Sequence, residues 1–440
     1  MIVLEVNNSY SRITGLTDAQ HKELKDLLSY EIDSQQAYFS GTYKNKRTLF
    51  GKRGDFPTGL LYLVRGWLKK QKCLPSVKDL RKRPAAIIGG FDASLPVTPY
   101  PEQIEASEAC LRHHRGIVAA PTGVGKSLIT ALIISKLKVR TLIVVPTLEL
   151  KRQLTESLSS IFPRHKVGEF GKDIAVENID ALDVNKPANY DAVIIDEFHH
   201  SAAKTYRLLN KKSWVNVYYR IGLTATPFRS NDNEKLLLES ILAEVIYKID
   251  YTTAVARSYI VPLEAYYIEV PKTEVEGYTW SEVYSELVVN NEPRNKIIKN
   301  LIQTLDGHHV LTLVKEIEHG EWLSTISKTL FANGQDKTSR EYINRFSTGG
   351  IKSLIGTTGI LGEGVDTKPA EWVIIAGLGK SKNAFMQQVG RAFRMYPGKE
   401  SAKIIFFKDT SHKWTINHFN AQCKILREEY GVKPVKLEVV

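Results

Sequence analysis

The sequence predicts an α/β protein: two parallel-sheet units preceded by a small basic N-terminal domain. Three observations carry this expectation. First, the apolar runs Gly116–Ala120, Thr141–Val145, Ala192–Asp196 and Arg220–Thr224 have the length of buried strands, and stretches of helical spacing separate them. Second, the alternation returns after Tyr259, with Val310–Val314, Ser353–Thr357, Trp372–Ala376 and Ala402–Phe407. Third, residues 1–99 hold 16 Lys/Arg against 9 Asp/Glu and end in the Pro- and Gly-bearing stretch Arg81–Pro99, which reads as a linker. The expected division is 1–93, 94–255 and 256–440.

Composition narrows the function. With 440 residues the chain has room for two or three domains. No apolar run approaches the roughly 18 residues of a membrane span, so no membrane is expected as a partner. The opening MIVLEVNNSYSR lacks the basic-then-apolar order of a secretory signal. Cys73, Cys110 and Cys423 lie far apart without a CxxC, which argues for a reducing cytoplasm and against a zinc or iron–sulfur site. The net charge of +12 favours a polyanionic partner.

In the N-terminal stretch, basic residues interleave with aromatics: Tyr38, Phe39, Tyr43 and Lys44 first, then Phe50, Lys52, Arg53, Trp67 and Lys69. Cations for phosphates and rings for bases suit nucleic-acid binding; a solvated basic face is the other reading. Helices are expected over Thr17–Ser29, with Thr17 as cap, and over Leu60–Lys70. Tyr100–Gln103 (YPEQ) opens the next unit ahead of a helix, and the Gln103 amide could read an adenine edge.

Ala119–Ser127 (AAPTGVGKS) reads as a strand end, a glycine loop and a first helical turn. Gly123 and Gly125 let backbone N–H groups converge, which makes an anion site at a helix N-terminus. Thr122 lies in the same loop. Lys126 would reach the β- and γ-phosphates and Ser127 would hold Mg²⁺. Ala120 stands where the usual GxxxxGK[ST] pattern has its first glycine. Taken alone, the loop also fits a turn before a core helix. The acidic pair Asp196-Glu197 at the end of another buried run strengthens the phosphate reading. Asp196 would hold Mg²⁺ through water, Glu197 would orient the attacking water, and His199 would sit nearby. Thr147, with Arg152 after it, follows a strand end where a phosphodiester backbone could be held. Lys172–Leu182 gives no clear period. In the second unit, helices are expected over Glu321–Ala332, Ser339–Phe346 and His412–Tyr430. Arg391 and Arg394 are three apart and would share a helix face. Tyr266–Tyr284 reads as an aromatic insertion that joins the two units by packing.

The ordered set YPEQ, APTGVGKS, VPTLELKRQ, DEFH, TATPFR, TTGILGEGVD and QQVGRAFR resembles superfamily 2 helicases of the DExH kind over roughly residues 100–400. The resemblance implies two RecA-like lobes, with ATP and Mg²⁺ in the cleft between them. It places Gln103, Lys126, Ser127, Asp196, Glu197, Gly364, Asp366, Arg391 and Arg394 at the nucleotide. It places Thr147, Thr226, Thr358 and the neighbouring Arg229 at the nucleic acid or at its coupling to hydrolysis. Gln388 stands where many relatives carry arginine. TATPFR and the basic N-terminal domain most resemble the phage UvsW-type branch-migration helicases, near a phage T5-like member. A family of this kind implies an ATP-driven DNA helicase or translocase, monomeric, that grips branched or forked DNA by its backbone in recombination, repair or replication. Its setting would be the cytoplasm, the bacterial host's if the gene is a phage's. A strand-separating DNA or RNA helicase, an ATP-gated nucleic-acid clamp and a small-molecule P-loop enzyme are the alternatives.

Overall fold

The computed structural model describes residues 1–31, 46–87, 91–198, 204–225, 232–275, 279–361, 367–377, 379 and 381–438. Two compact units result: Met1–Ala120 with Gly125–Ile249, and Pro121–Val124 with Asp250–Val440.

The first unit opens on a small sheet. Its strands are β1 (Val3–Val6), β2 (Tyr10–Thr14), β5 (Asp55–Pro57) and β6 (Ser76–Asp79), in the order β5-β2-β1-β6; β3 (Ser29–Glu31) and β4 (Lys46–Thr48) form a separate pair. Along β1 and β2 inward and outward residues alternate, and Leu4, Val6 and Ile13 meet Leu24, Phe56 and Val64 in the core. The helix Asp18–Leu27 starts where expected. Thr17 accepts from Gln20 N–H while the Gln20 side chain accepts from Thr17 N–H, a complete capping box. Tyr38, Phe39, Tyr43 and Lys44 lie outside the described residues.

The larger sheet of this unit is wholly parallel. Its strands are β7 (Arg115–Ala119), β8 (Thr141–Val145), β9 (Val167–Gly168), β10 (Ile174–Asn178), β11 (Ala192–Ile195), β12 (Tyr219–Thr224) and β13 (Val245–Lys248), ordered β13-β7-β12-β11-β8-β10-β9. The central strands are buried throughout, as helices on both faces require. The strand β10 answers the unread stretch Lys172–Leu182. Its period was hidden because Glu177 is a buried charge within the strand, neutralised by Lys151 at 2.8 Å.

The small sheet is fastened to the amino ends of β7 and β12. Arg220, fully buried in β12, donates from Nη2 to the Ser9 hydroxyl at 2.9 Å and to the Trp214 carbonyl, from Nη1 to Asn210, and from Nε to the Val217 carbonyl. Its register neighbour Arg115 donates to the Asn8 carbonyl at 2.7 Å. No carboxylate pairs with either guanidinium among the described residues. Burial lowers both, Arg115 to about 9, so it keeps its charge at pH 7. The stretch read as a linker is also tied down: Ile87 N–H donates to the Lys138 carbonyl, Ser94 N–H to the Ile161 carbonyl, and Phe91 is fully buried. The prolines keep the described part of this stretch out of helix and strand without freeing its backbone. A buried donor that loses its acceptor costs about 1–3 kcal/mol. Ser9→Ala is therefore expected to lower the stability of this unit by about that amount, read as a shift in urea midpoint at unchanged slope.

The second unit holds β14 (Leu263–Glu269), β15 (Val310–Val314), β16 (Phe331–Ala332), β17 (Ser353–Thr357), β18 (Trp372–Ile375), β19 (Ala402–Lys408) and β20 (Val435–Lys436), all parallel in the order β16-β17-β15-β18-β19-β14-β20. The helix expected over Glu321–Ala332 runs instead over Ile317–Ser327. Lys328 turns left-handed at φ 58°, and Phe331–Ala332 pairs with β17. Gly320 leaves room for the Phe331 ring, which a side chain there would strike. The aromatic stretch Tyr266–Tyr284 is not an insertion. Tyr266 and Tyr267 belong to β14, and Trp280 packs within this unit against Tyr284, Trp414 and His418, the last at 4.3 Å between ring centres. Tyr278 lies outside the described residues. No described helix is long and apolar enough to cross a membrane.

Candidate nucleotide and nucleic-acid site

Four strands of the first unit end side by side in the order β7, β12, β11, β8, and a predicted motif follows each of them in the sequence. In open parallel sheets ligands sit beyond such carboxyl ends. The loop after β7 turns on Gly123 (φ 94°) and Gly125 (φ 82°), values that penalise any side chain. Gly125 is also closely covered: a Cβ there would lie 2.8 Å from Gln103 Nε2. The helix Lys126–Leu137 then begins, with Lys126 and Ser127 in its first turn, at the positive end of the helix dipole. Thr122 lies half-buried in the loop.

Gln103 is almost fully buried and its carbonyl accepts the Tyr100 N–H at 2.9 Å, so one half of the amide caps the helix Pro101–His113. The other half faces the glycine loop. A single glutamine thus ties a helix start to the phosphate-loop candidate, which limits the acceptor it could offer an adenine.

Two strands away, β11 ends at Ile195 and the chain turns sharply. Glu197 has φ 46°, left-handed and unfavourable for a residue with a side chain. The Asp196 carboxylate accepts the Glu197 N–H at 3.0 Å, which holds that turn. The result is contact across the end of β12: Lys126 Nζ lies 2.7 Å from Glu197 Oε1, with both side chains only 12–13% exposed. Gly222 in β12 permits this arrangement. A Cβ there would meet Leu242 at 2.4 Å and Phe198 at 2.8 Å, and Phe198 is the buried anchor directly after Glu197. Ala120 N–H donates to the Thr224 carbonyl at 2.9 Å, joining the loop to the neighbouring strand end.

These residues fit a nucleotide with Mg²⁺. The oxygens of Ser127 and Asp196 are hard donors, and no group of three or more His, Cys, Asp or Glu among the described residues forms a cage of its own. Mg²⁺ is commonly held in this way, by one or two protein oxygens together with phosphates and water.

Thr147 caps the helix Leu148–Ile161, its hydroxyl accepting the Leu150 N–H at 3.2 Å. Arg152 lies on that helix between Glu149 at 2.6 Å and Glu156 at 2.7 Å. Both carboxylates compete with any phosphate for it. Thr226, Arg229, His199, Gly364 and Asp366 lie outside the described residues.

In the second unit, Thr358 follows β17 and its N–H donates to the Val314 carbonyl at 2.8 Å. The helix Lys382–Gly390 ends before Arg391, so Arg391 and Arg394 do not share its face. Gly390 weakens the helix there, and Ala392 and Phe393 turn into the core, where Phe393 packs on Tyr251 and Tyr430. Arg391, Ala392 and Phe393 N–H groups bond back three residues. The Arg391 side chain is largely buried.

Two residues that the sequence did not single out hold this segment. Thr367 donates to the Arg391 carbonyl at 3.1 Å, and Lys399 Nζ donates to the Arg394 carbonyl at 3.1 Å and the Lys368 carbonyl at 3.3 Å. Burial, aided by Arg394, pushes the Lys399 ammonium down to about 8. Only the fold reveals them, since both act through backbone carbonyls.

Residues 96–229 match the family model "Type III restriction enzyme, res subunit", and 293–396 match "Helicase conserved C-terminal domain". The DNA 3'-5' translocase XPB2 of Sulfurisphaera tokodaii is 24% identical over 66% of this chain and 77% of its own length. Across curated relatives the chain spans from 49% to 85% of their lengths. A fragment of a type I restriction HsdR subunit from Vibrio vulnificus shares the fold over 100% of this chain and 85% of its own, with 15% identity and a TM-score of 0.61. UvsW of bacteriophage T4 aligns over 99% of each chain at 18% identity, with a TM-score of 0.46, which is too loose to argue from.

Proposed function

We propose that this chain, a superfamily 2 helicase by the two domains it carries, is an ATP-driven DNA translocase that remodels branched DNA. The observation that supports hydrolysis best is the Lys126–Glu197 contact beside the glycine loop. A lysine that finds a carboxylate in place of a phosphate marks where the phosphate would go. Bound nucleotide would draw Lys126 to its phosphates and leave Glu197 to orient and polarise the attacking water. Ser127, and Asp196 through water, would hold Mg²⁺, which neutralises charge on the β- and γ-phosphates. Gln103, Thr122, Gly123 and Gly125 would shape the nucleotide's place, together with Gly364 and Asp366. Arg391 and Arg394 would stabilise charge on the transferring phosphoryl group. Thr147, Arg152, Thr226, Arg229 and Thr358 would grip the DNA backbone, so binding would follow DNA structure and not sequence.

The choice of branched DNA draws on the N-terminal sheet. Residues 1–93 form the basic nucleic-acid-binding part in this reading, 94–255 the first motor lobe and 256–440 the second. Fastened to the amino ends of β7 and β12, the basic part can hold a duplex arm while the motor draws on another. Branch migration exchanges one set of base pairs for another at little net pairing cost, so it needs no wedge. Trp280 packs on Trp414 and His418 within the second unit, which supports a motor that uses no wedge at this aromatic stretch.

With ATP and equal concentrations of substrate, a mobile four-way junction is expected to be resolved at least tenfold faster than a long duplex with a single-stranded tail is unwound; a tenfold rate ratio is about 1.4 kcal/mol in barrier. Equal rates on the two would return the chain to the strand-separating helicases. RNA-stimulated hydrolysis without DNA stimulation would make it an RNA enzyme.

A further inference from the structure

We infer that the N-terminal sheet carries a pocket for one unpaired nucleobase, an inference that rests on the DNA-remodelling reading above. The pocket is a cavity of about 480 Å³ lined by Tyr10, His21 and Phe50, with Lys25 and Lys52 also in its wall. That volume suits a small-molecule-sized group and not a duplex.

Three features select a nucleotide as the occupant. The first is the rings. Phe50, itself buried in the core, backs the half-buried His21 ring at 4.9 Å between centroids, and the half-buried Tyr10 also lines the cavity, so His21 and Tyr10 offer the ring faces. Flat π-faces of this kind accept any base, with little preference for its identity. The second is an unused polar atom: His21 Nε2 is buried and has no hydrogen-bond partner among the described residues. A turn of the half-buried imidazole would bring that atom to a base edge, which offers the donor or acceptor that the described residues do not. The third is charge. Lys25 and Lys52 are both exposed. Among the described residues the one carboxylate in the wall, Asp55, is taken by Arg12 at 2.6 Å. The cavity therefore presents cations to the phosphates on either side of the base.

A paired, stacked base cannot enter without paying to leave the helix, but a base already unpaired at a branch point can. The pocket would thus recognise the branch itself. A single-stranded segment and a free nucleotide share this chemistry, and the two sources are separable by experiment.

The test uses the full-length chain without ATP and four-way junctions carrying 2-aminopurine, either unpaired at the branch or paired within an arm. Binding is expected to change the fluorescence of the unpaired probe and not of the paired one. His21→Ala should abolish that change and weaken affinity for the unpaired-base junction about tenfold, the loss of one base–ring stack. His21→Phe should restore most of it, because the stacking face returns. Lys52→Glu, an exposed change that spares the core, should give a loss in the same direction, greater on the unpaired-base junction than on a fully paired one. Equal losses on the two junctions, or a silent probe at the branch, would overturn the pocket. So would a free 2-aminopurine nucleotide that binds as tightly as the junction, since the site would then serve a small molecule. DNA-stimulated ATP hydrolysis is measured alongside. If it persists while the probe stays silent, only the pocket fails; if it is absent, the translocase reading fails.

Discussion

Glu197→Gln is expected to reduce steady-state ATP turnover about a thousandfold. The carboxylate sits at a left-handed turn, φ 46°, that places it 2.7 Å from Lys126. An amide of the same shape keeps the turn and can still accept a hydrogen bond, but it cannot take a proton from the attacking water. General-base groups contribute roughly 10²–10⁴-fold. Lys126→Ala should fail to a similar extent for a different reason, because the charge that stabilises the transferring phosphoryl group is gone. The two variants should part on nucleotide affinity. Glu197→Gln weakens the partner that competes with nucleotide for Lys126, so its affinity for ATP should hold or rise, whereas that of Lys126→Ala should fall. DNA binding should persist in both. Turnover near that of the unaltered protein in Glu197→Gln would show that another group carries the base.

Arg391→Ala is expected to lower kcat by about a thousandfold or more, in the range of arginines that stabilise phosphoryl transfer. The backbone of residues 391–394 is held at both ends, by Thr367 at the Arg391 carbonyl and by Lys399 at the Arg394 carbonyl. An alanine at 391 leaves those backbone bonds in place, so the path of the segment is kept while the guanidinium is lost. If the arginine acts only on the transition state, KM for ATP should move by less than about threefold while kcat collapses. Weak nucleotide affinity with normal turnover at saturation would assign Arg391 to ground-state binding instead.

The sequence made the sheets legible and left their edges obscure. Continuous apolar runs such as Thr141–Val145 and Val310–Val314 appear as strands at the expected residues, because a strand covered on both faces has no room for polar residues. Strands that no apolar run marks break that rule, β10 and β16 among them. The charge of Glu177 in β10 is satisfied by Lys151, a contact no local pattern reports. Phe331–Ala332 is too short to show a period, and its sequence continues the helical spacing that precedes it. The phosphate-loop residues and the acidic pair were legible because glycine and charge are conspicuous against an apolar strand. Their meeting across β12 was not, since it depends on strand order. Thr367 and Lys399 were invisible for a further reason: each works through a carbonyl that every residue possesses. The end of the helix at Gly390 shows the limit of spacing arguments. Residues three apart share a face only while the helix lasts, and Arg391 and Arg394 lie beyond its end.

Arg115 and Arg220 bear on how this chain can be inherited and reassembled. Both send their donors into the turn at Asn8 and Ser9 from strands that begin more than a hundred residues later. A crossover between relatives anywhere from residue 10 to residue 114 would unite one parent's turn with the other parent's arginines. Unless the two parents matched there, Arg220 would lose its Ser9 acceptor while keeping Asn210 and the Trp214 and Val217 carbonyls, and a turn of different path would move the Asn8 carbonyl away from Arg115; each buried donor left unpaired costs about 1–3 kcal/mol against a total stability of about 5–15. The small sheet is thus a poor candidate for exchange as a cassette. Its turn and the paired strands of the motor lobe must drift together, and chimeras intended to transfer DNA preference should join after residue 220 and not at the Pro/Gly stretch where the sequence invites the cut.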